Sequence, residues 1–306
     1  MEKRNIFKIK SIAIILATLC AVGWAMAFPL IKVGFSAFSI AESDTAGKTL
    51  FAGIRFFIAG LVVIATALFM GRSFRIKGTK DKLLLLLFGI VNTTLHYFFF
   101  YMGVSRLSGS RSAILNALGS FLLIVLASLF FKDDKFNASK FLGCILGLAG
   151  IIIININGSG DLFSDISLMG DGMLIACAVC SAFGGILTRV VSKRVDIIVA
   201  TGISLTVGGA LLLLAGVIIG GRITHISFLG VAVLLILIFI SAFCFGIYNQ
   251  LLCYNPVSHI AIFNALIPVL GVVFSCIILG EPFMAKYIIA GVLVATGIFV
   301  INKKRS

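Results

Sequence analysis

Acidic residues are scarce in this chain, with 11 Asp and Glu among 306 positions, and only 12% of residues are charged. Soluble domains carry about 25% charged residues, so an ordinary water-soluble globule is excluded. Histidine is equally thin: His96, His225 and His259 lie in separate stretches. With so few acids and scattered histidines, no clustered acid/base or metal-ligand set can be read from the sequence. The seven cysteines form no pair with zinc-ligand context. Cys177 and Cys180 are spaced CxxC but fall inside an apolar run, where the spacing reads as small-residue packing. No metal or cofactor is expected. Nor is there a long polar segment in which a soluble catalytic domain could fold.

What is present is hydrophobicity, 60% of residues, gathered into ten runs. They begin near Ser11, Leu50, Lys82, Arg106, Ala138, Ser167, Asp196, Phe228, Val257 and Phe283. A helix needs about 20 apolar residues to cross the hydrocarbon of a bilayer, and helices can satisfy their backbone hydrogen bonds there. The pattern predicts an all-α membrane protein with ten transmembrane helices. The first run follows a basic stretch but is too long for the apolar core of a signal peptide, and no small-residue cleavage site follows it. It is read as the first span.

The net charge of +14 would suggest nucleic acid in a soluble protein. Here it is explained by loops: basic residues collect on the cytoplasmic side of membrane proteins. With the N-terminus inside, 18 Lys and Arg fall in inner segments and six in outer ones. The inner set includes Arg72 to Lys82, Lys132 to Lys140, and Arg189 to Arg194. The connection 157–171 carries Asp161, Asp165 and Asp171 without a basic residue, as an outer loop should. A multi-pass protein of the cytoplasmic membrane with both termini inside is expected. Its partners would be membrane lipids and a small molecule, with no nucleic acid, and it would be a monomer or homodimer.

The chain repeats itself. SRSAILNALGSFL from Ser110 is similar to SHIAIFNALIPVL from Ser258, so Asn116 matches Asn264. LAGIIIIN ending at Asn155 is similar to ATGIFVIN ending at Asn302, and AVGWAMAFPLIKV from Ala21 to AVCSAFGGILTRV from Ala178. These matches set spans one to five (1–157) against spans six to ten (167–306). Because each half holds an odd number of spans, the two five-helix repeats are expected to be inverted. Inverted repeats are a recurring plan of secondary transporters, with the substrate site near the midplane between halves.

At this point the chain resembles an EamA-type member of the drug/metabolite transporter superfamily. The resemblance rests on Gly23-Trp24 through Lys32, Arg55-Phe56, the Asn116 segment, Pro268, Gly280-Glu281 and Gly297. It covers nearly the whole chain. It implies ten spans in two inverted five-helix repeats and export of small metabolites or drugs, amino acids and related compounds above all. The first half departs from the second in having Gly119-Ser120 opposite Pro268 and Asp133-Asp134 opposite Gly280-Glu281. The second half has Ser181 opposite Trp24.

Polar groups inside apolar runs are costly, about 3 kcal/mol for a charge, and mark candidate sites. Arg55 lies about eight residues into its span, roughly 12 Å deep. Either it forks onto a substrate carboxylate, or it pairs internally with helix-end carbonyls or Asp171. His96 is near mid-span, with Asn92 one turn earlier on the same face. It either contacts substrate or a coupling proton, or makes an interhelical hydrogen bond. Tyr97 and Tyr101 form a second stripe. Asn116 and Asn264 are either a structural lock or part of a site at the repeat interface. Pro268 frees the carbonyl of Asn264 for substrate or for a bend. Trp24, the only tryptophan, lies well inside its span and either lines a cavity or packs. Tyr248 and Asn249, with Gln250, fall where an inner gate would be. The 28 phenylalanines are read mostly as lipid-facing bulk, and Gly143 and Gly147 as a close helix contact. No carboxylate sits at mid-membrane, so proton coupling would run through His96 or be absent. The alternative is a membrane-embedded enzyme acting on a lipid-linked substrate.

Overall fold

A computed structural model describes residues 6–41, 43–104, 106, 109–155, 167–280 and 283–303. Every regular element among the described residues is helical. In chain order they are α1 (Lys10–Ala37), α2 (Thr45–Phe69), α3 (Gly78–Gly89), α4 (His96–Val104), α5 (Gly109–Phe130) and α6 (Ala138–Asn155). There follow α7 (Met173–Val191), α8 (Ile197–Ile218), α9 (Phe228–Tyr254), α10 (Val257–Ala261), α11 (Leu266–Leu279) and α12 (Lys286–Asn302). A π-helical stretch at Ile90–Leu95 joins α3 to α4 in one rod, Gly78–Val104, and a 3-10 stretch at Ile262–Ala265 joins α10 to α11 in another, Val257–Leu279. A π-helical turn at Leu168–Gly172 opens α7.

Seven of these rods are long and apolar enough to cross a membrane. Leu115–Phe130, Ala138–Ile153 and Lys286–Asn302 are shorter apolar helices. The second and third rods begin at Thr45 and Gly78, a few residues earlier than the apolar run suggests. For the second rod the reason is capping, since Asp44 accepts from Gly47 N at 2.8 Å; the third has no side-chain cap, and the Asp81 carboxylate in its first turn accepts from Lys77 N. Asp196 and Ser227 cap α8 and α9 as Asp44 caps α2.

Two helix pairs are joined by glycine. On α2, Gly53 and Gly60 meet the α8 backbone at Leu213 and Thr206, while Gly202 and Gly209 of α8 meet the α2 backbone at Ile64 and Phe57. A Cβ on Gly209 would stand 2.2 Å from Phe57 N, so nothing larger than hydrogen fits. Between α6 and α12, Gly143 faces the Gly297 carbonyl and Gly150 the Ala290 carbonyl. Close backbone approach is how helices gain contact in lipid, where no hydrophobic force drives them together. Around these seams α1 packs on α9 and α11, and α7 on α4 and α5. The Gly143 contact expected from sequence is present.

Phenylalanine departs from expectation. Phe69, Phe228 and Phe239 are exposed, but Phe51, Phe56 and Phe88 are fully buried and Phe100, Phe121, Phe131 and Phe263 nearly so. Composition cannot tell the two groups apart, because a lipid-facing and a core-facing aromatic are equally apolar.

Candidate functional site

Arg55 is 3% exposed and about 15 Å from the start of α2 at 1.5 Å per residue. Its Nε donates to Ser241 Oγ on α9 at 2.8 Å, and its guanidinium lies 5.0 Å from the centre of the Phe56 ring. The Ser241 hydroxyl donates its own hydrogen bond to Leu237 O, which leaves its oxygen free to accept. Neither helix-end carbonyls nor Asp171 pairs with the guanidinium. The Asp171 carboxylate accepts instead from Ser167 N, at the start of its own helix. No ion pair of Arg55 occurs among the described residues.

Aromatic rings surround it. Phe56 packs on Tyr97 with centroids 4.0 Å apart, and both lie near Phe245. Phe245 meets Trp24 edge-on at 5.4 Å, and Trp24 meets Tyr248 at 5.0 Å. Phe28, Phe100 and Tyr101 continue the chain of rings. The group draws from α1, α2, α4 and α9, residues far apart in sequence. One polar atom in it, Trp24 Nε1, is buried without a hydrogen-bond partner among the described residues, while the Tyr101 hydroxyl lies beside the Arg55 guanidinium, from which it can accept. The indole N–H can only donate, and an unmet buried donor costs about 1–3 kcal/mol.

The remaining sequence candidates fall into two hydrogen-bonded groups. Asn264 Nδ2 donates to the Tyr248 hydroxyl at 2.9 Å, and Tyr248 is the ring beside Trp24. On the other side, Cys177 Sγ lies 3.8 Å from His96 Nδ1 and donates to Asn116 Oδ1 at 3.7 Å. Asn92, in the π-helical stretch, puts its amide against Gly184 of α7, so Asn92 and His96 do face one helix as their spacing suggests. Asn249 points elsewhere: it is buried and donates to Thr201 Oγ1 on α8, and Gln250 bonds back to Gly246 O in its own helix. Pro268 is half-buried, and the helix N-terminal to it tightens to 3-10 over Ile262–Ala265. A proline removes the bond to the residue four before it, here Asn264, which explains why the irregularity sits there.

Sequence reasoning missed Ser241 and Cys177. Ser241 lies in an apolar helix without neighbouring polar residues, so nothing in one dimension marks it as the partner of Arg55. Cys177 was assigned to packing, yet its thiol joins His96 to Asn116. Glu281, part of the family motif, lies outside the described residues.

Comparison with known proteins gives the family and the fold. The sequence profile of the EamA-like transporter family matches residues 11–156 and again 168–303. An uncharacterized transporter of Bacillus subtilis, YvbV, is 29% identical over 95% of this chain and 92% of its own length. A WAT1-related chloroplastic protein of Arabidopsis thaliana, At3g02690, is 28% identical over 84% of this chain and 63% of its own. The S-adenosylmethionine/S-adenosylhomocysteine transporter of Chlamydia muridarum is 22% identical over 96% of this chain and 91% of its own. A protein of known crystal structure shares the fold with a TM-score of 0.79 at 18% identity, covering 96% of this chain and 98% of its own. The chain belongs to the EamA-like transporter family.

Proposed function

We propose that this protein exports small metabolites bearing a carboxylate, amino acids and related compounds first among them, by alternating access between two inverted five-helix halves, 1–157 and 167–306. The observation that carries the substrate class is Arg55. A buried guanidinium flanked only by the neutral hydroxyls of Ser241 and Tyr101 is an unfinished charge pair, and its fork geometry suits a carboxylate. The unmet donor of Trp24 also favours an acceptor-rich ligand, and the rings around it favour an apolar body. The relative in Chlamydia muridarum is named for two compounds that each end in an amino-acid carboxylate.

Two observations support the repeat. The family profile matches twice, end to end. The helix contacts also map onto themselves when the halves are exchanged. α2 on α8 and α6 on α12 are self-paired, while α1 on α11 exchanges with α5 on α7, and α1 on α9 with α4 on α7. On this reading the three shorter apolar helices complete ten spans. In the same proposal the protein lies in the cytoplasmic membrane with both termini inside, as the loop charges suggest, and works as a monomer or homodimer.

The test is efflux from proteoliposomes loaded with a panel of labelled amino acids, with and without a pH gradient. Saturable efflux of one class, lost in Arg55→Ala, is expected. Dependence on the gradient, abolished by His96→Ala, would identify proton exchange. Unaltered efflux in Arg55→Ala would remove the carboxylate from the proposal.

A further inference from the structure

One end of the protein is tied across its middle by charge. Asp134 is 2% exposed and Lys140 3%, and the two form an ion pair. The other carboxylate oxygen of Asp134 accepts from both Ser258 N at 2.9 Å and Ser258 Oγ at 3.0 Å. Ser258 is in the first turn of the rod Val257–Leu279, whose N-cap residue, Pro256, supplies no side-chain cap. A carboxylate from one half of the chain therefore holds the foot of a helix from the other half, where the N–H groups of the first turn, which have no intrahelical partner, favour negative charge.

Three more pairs cross the same division. Asp133 pairs with Arg189, Asp81 with Arg194 at 3.2 Å, and Arg72 with Asp196 at 3.5 Å. Each joins a residue before 157 to one after 167. All belong to segments that the sequence places on the inner face.

These seams differ in kind from those between α2 and α8. There, backbone meets backbone through glycine, and parting the helices would open a void with nothing to fill it. At the charged end, parting the pairs returns Asp, Arg and Lys to water, which solvates them well. Burying charge carries a desolvation cost that the pairing roughly offsets, so such a closure holds geometry without holding tightly. Above Ser258 the rod is already irregular, at Ile262–Ala265, and that stretch can act as the flexing point. Asn264 and Tyr248 sit at this point, so movement of the foot reaches the ring cluster.

We infer that Asp134 with Ser258, together with the Asp133–Arg189, Asp81–Arg194 and Arg72–Asp196 pairs, forms a reversible ionic latch closing the inner end between the halves. It rests on the alternating-access reading above. Ala261, fully buried one turn beyond Ser258, lies behind it. The experiment places Ala261→Cys in a background free of the seven native cysteines and measures its reaction with a membrane-impermeant thiosulfonate in vesicles of each orientation. Asp134→Asn is expected to speed labelling at least tenfold from the inner side and leave the outer side unchanged. Asp81→Arg and Arg194→Asp alone should each speed it, and the two together should return it toward the starting rate. If Asp134→Asn does not fold, Arg194→Asp carries the test, since the Arg194 side chain is 52% exposed, against 8% for Asp81. Labelling unaffected by any of these, or raised equally from both sides, overturns the latch. The assay needs no substrate. Latch-dependent labelling with no efflux from the panel would overturn the substrate assignment alone, and efflux with latch-independent labelling would overturn the latch alone.

Discussion

Replacing Arg55 by methionine separates a binding residue from a structural one. A charge near mid-helix in a membrane costs about 3 kcal/mol. Against this stand one charge-assisted hydrogen bond to Ser241, worth about 1.5–3 kcal/mol, and the Phe56 ring, worth about 0.5–2 kcal/mol. The terms nearly cancel, and methionine fills much of the same volume. Arg55→Met should therefore alter unfolding stability by no more than about 2 kcal/mol. Its effect on transport should be far larger: losing one member of a desolvated charge pair costs about 2–5 kcal/mol, about 30-fold to several thousandfold in apparent affinity at about 1.4 kcal/mol per decade. Arg55→Lys should fall between, since it keeps the charge but loses the fork. Denaturant unfolding of purified protein and efflux from proteoliposomes provide the two readouts. A stability loss above about 3 kcal/mol, with efflux falling only in proportion to folded protein, would show that the balance is wrong and that Arg55 is structural.

Gly209→Ala and Gly246→Ala gain the same helix propensity, about 1 kcal/mol, yet only the first meets backbone, at 2.2 Å, while nothing lies within 4 Å of the second. Gly209→Ala should lower the unfolding midpoint by about 1–3 kcal/mol of stability and Gly246→Ala should not; equal stabilities would refute the α2–α8 seam. Removing the Tyr248 hydroxyl in Tyr248→Phe leaves Asn264 Nδ2 without its partner and should cost about 1–3 kcal/mol. Asn264→Leu combined with Tyr248→Phe should recover part of it, measured as a double-mutant cycle. Arg189, bonded to Asp133, holds that carboxyl below the usual carboxylate range. Because the folded value is depressed, the pair's contribution is present above the ordinary range near about pH 4 and is lost as pH falls through the lowered value. The stability advantage of the parent over Asp133→Asn should be constant at neutral pH and vanish in acid. An advantage that grows on acidification would contradict the pairing.

The seam glycines show how much of the fold was legible. Gly143 and Gly147 announced close packing because their spacing returns them to one face, but Gly53, Gly60, Gly202 and Gly209 carry a contact the spacing of either helix alone does not reveal. Their pairing depends on which helices become neighbours. Of the residues that come together around the rings, Arg55, Trp24, Tyr97, Tyr248 and Asn264 stood out in the sequence because each is unusual where it stands. Ser241 and the phenylalanines of that group did not, since a serine or an aromatic in an apolar helix is ordinary. Asn249 was unusual too, yet it serves a bond to Thr201 away from the rings, for polarity marks importance without giving direction.

By itself, the sequence determined that the chain is helical and membrane-embedded, because backbone groups in lipid have few ways to be satisfied. It also determined where the costly polar groups lie and that two stretches of the chain repeat. Only the tertiary structure decided that Arg55 meets Ser241 rather than a carboxylate, that Cys177 joins His96 to Asn116, and that Asp134 reaches the foot of a helix more than a hundred residues away. Those contacts form between helices, and a helix's own periodicity fixes which residues share a face but not what that face will touch.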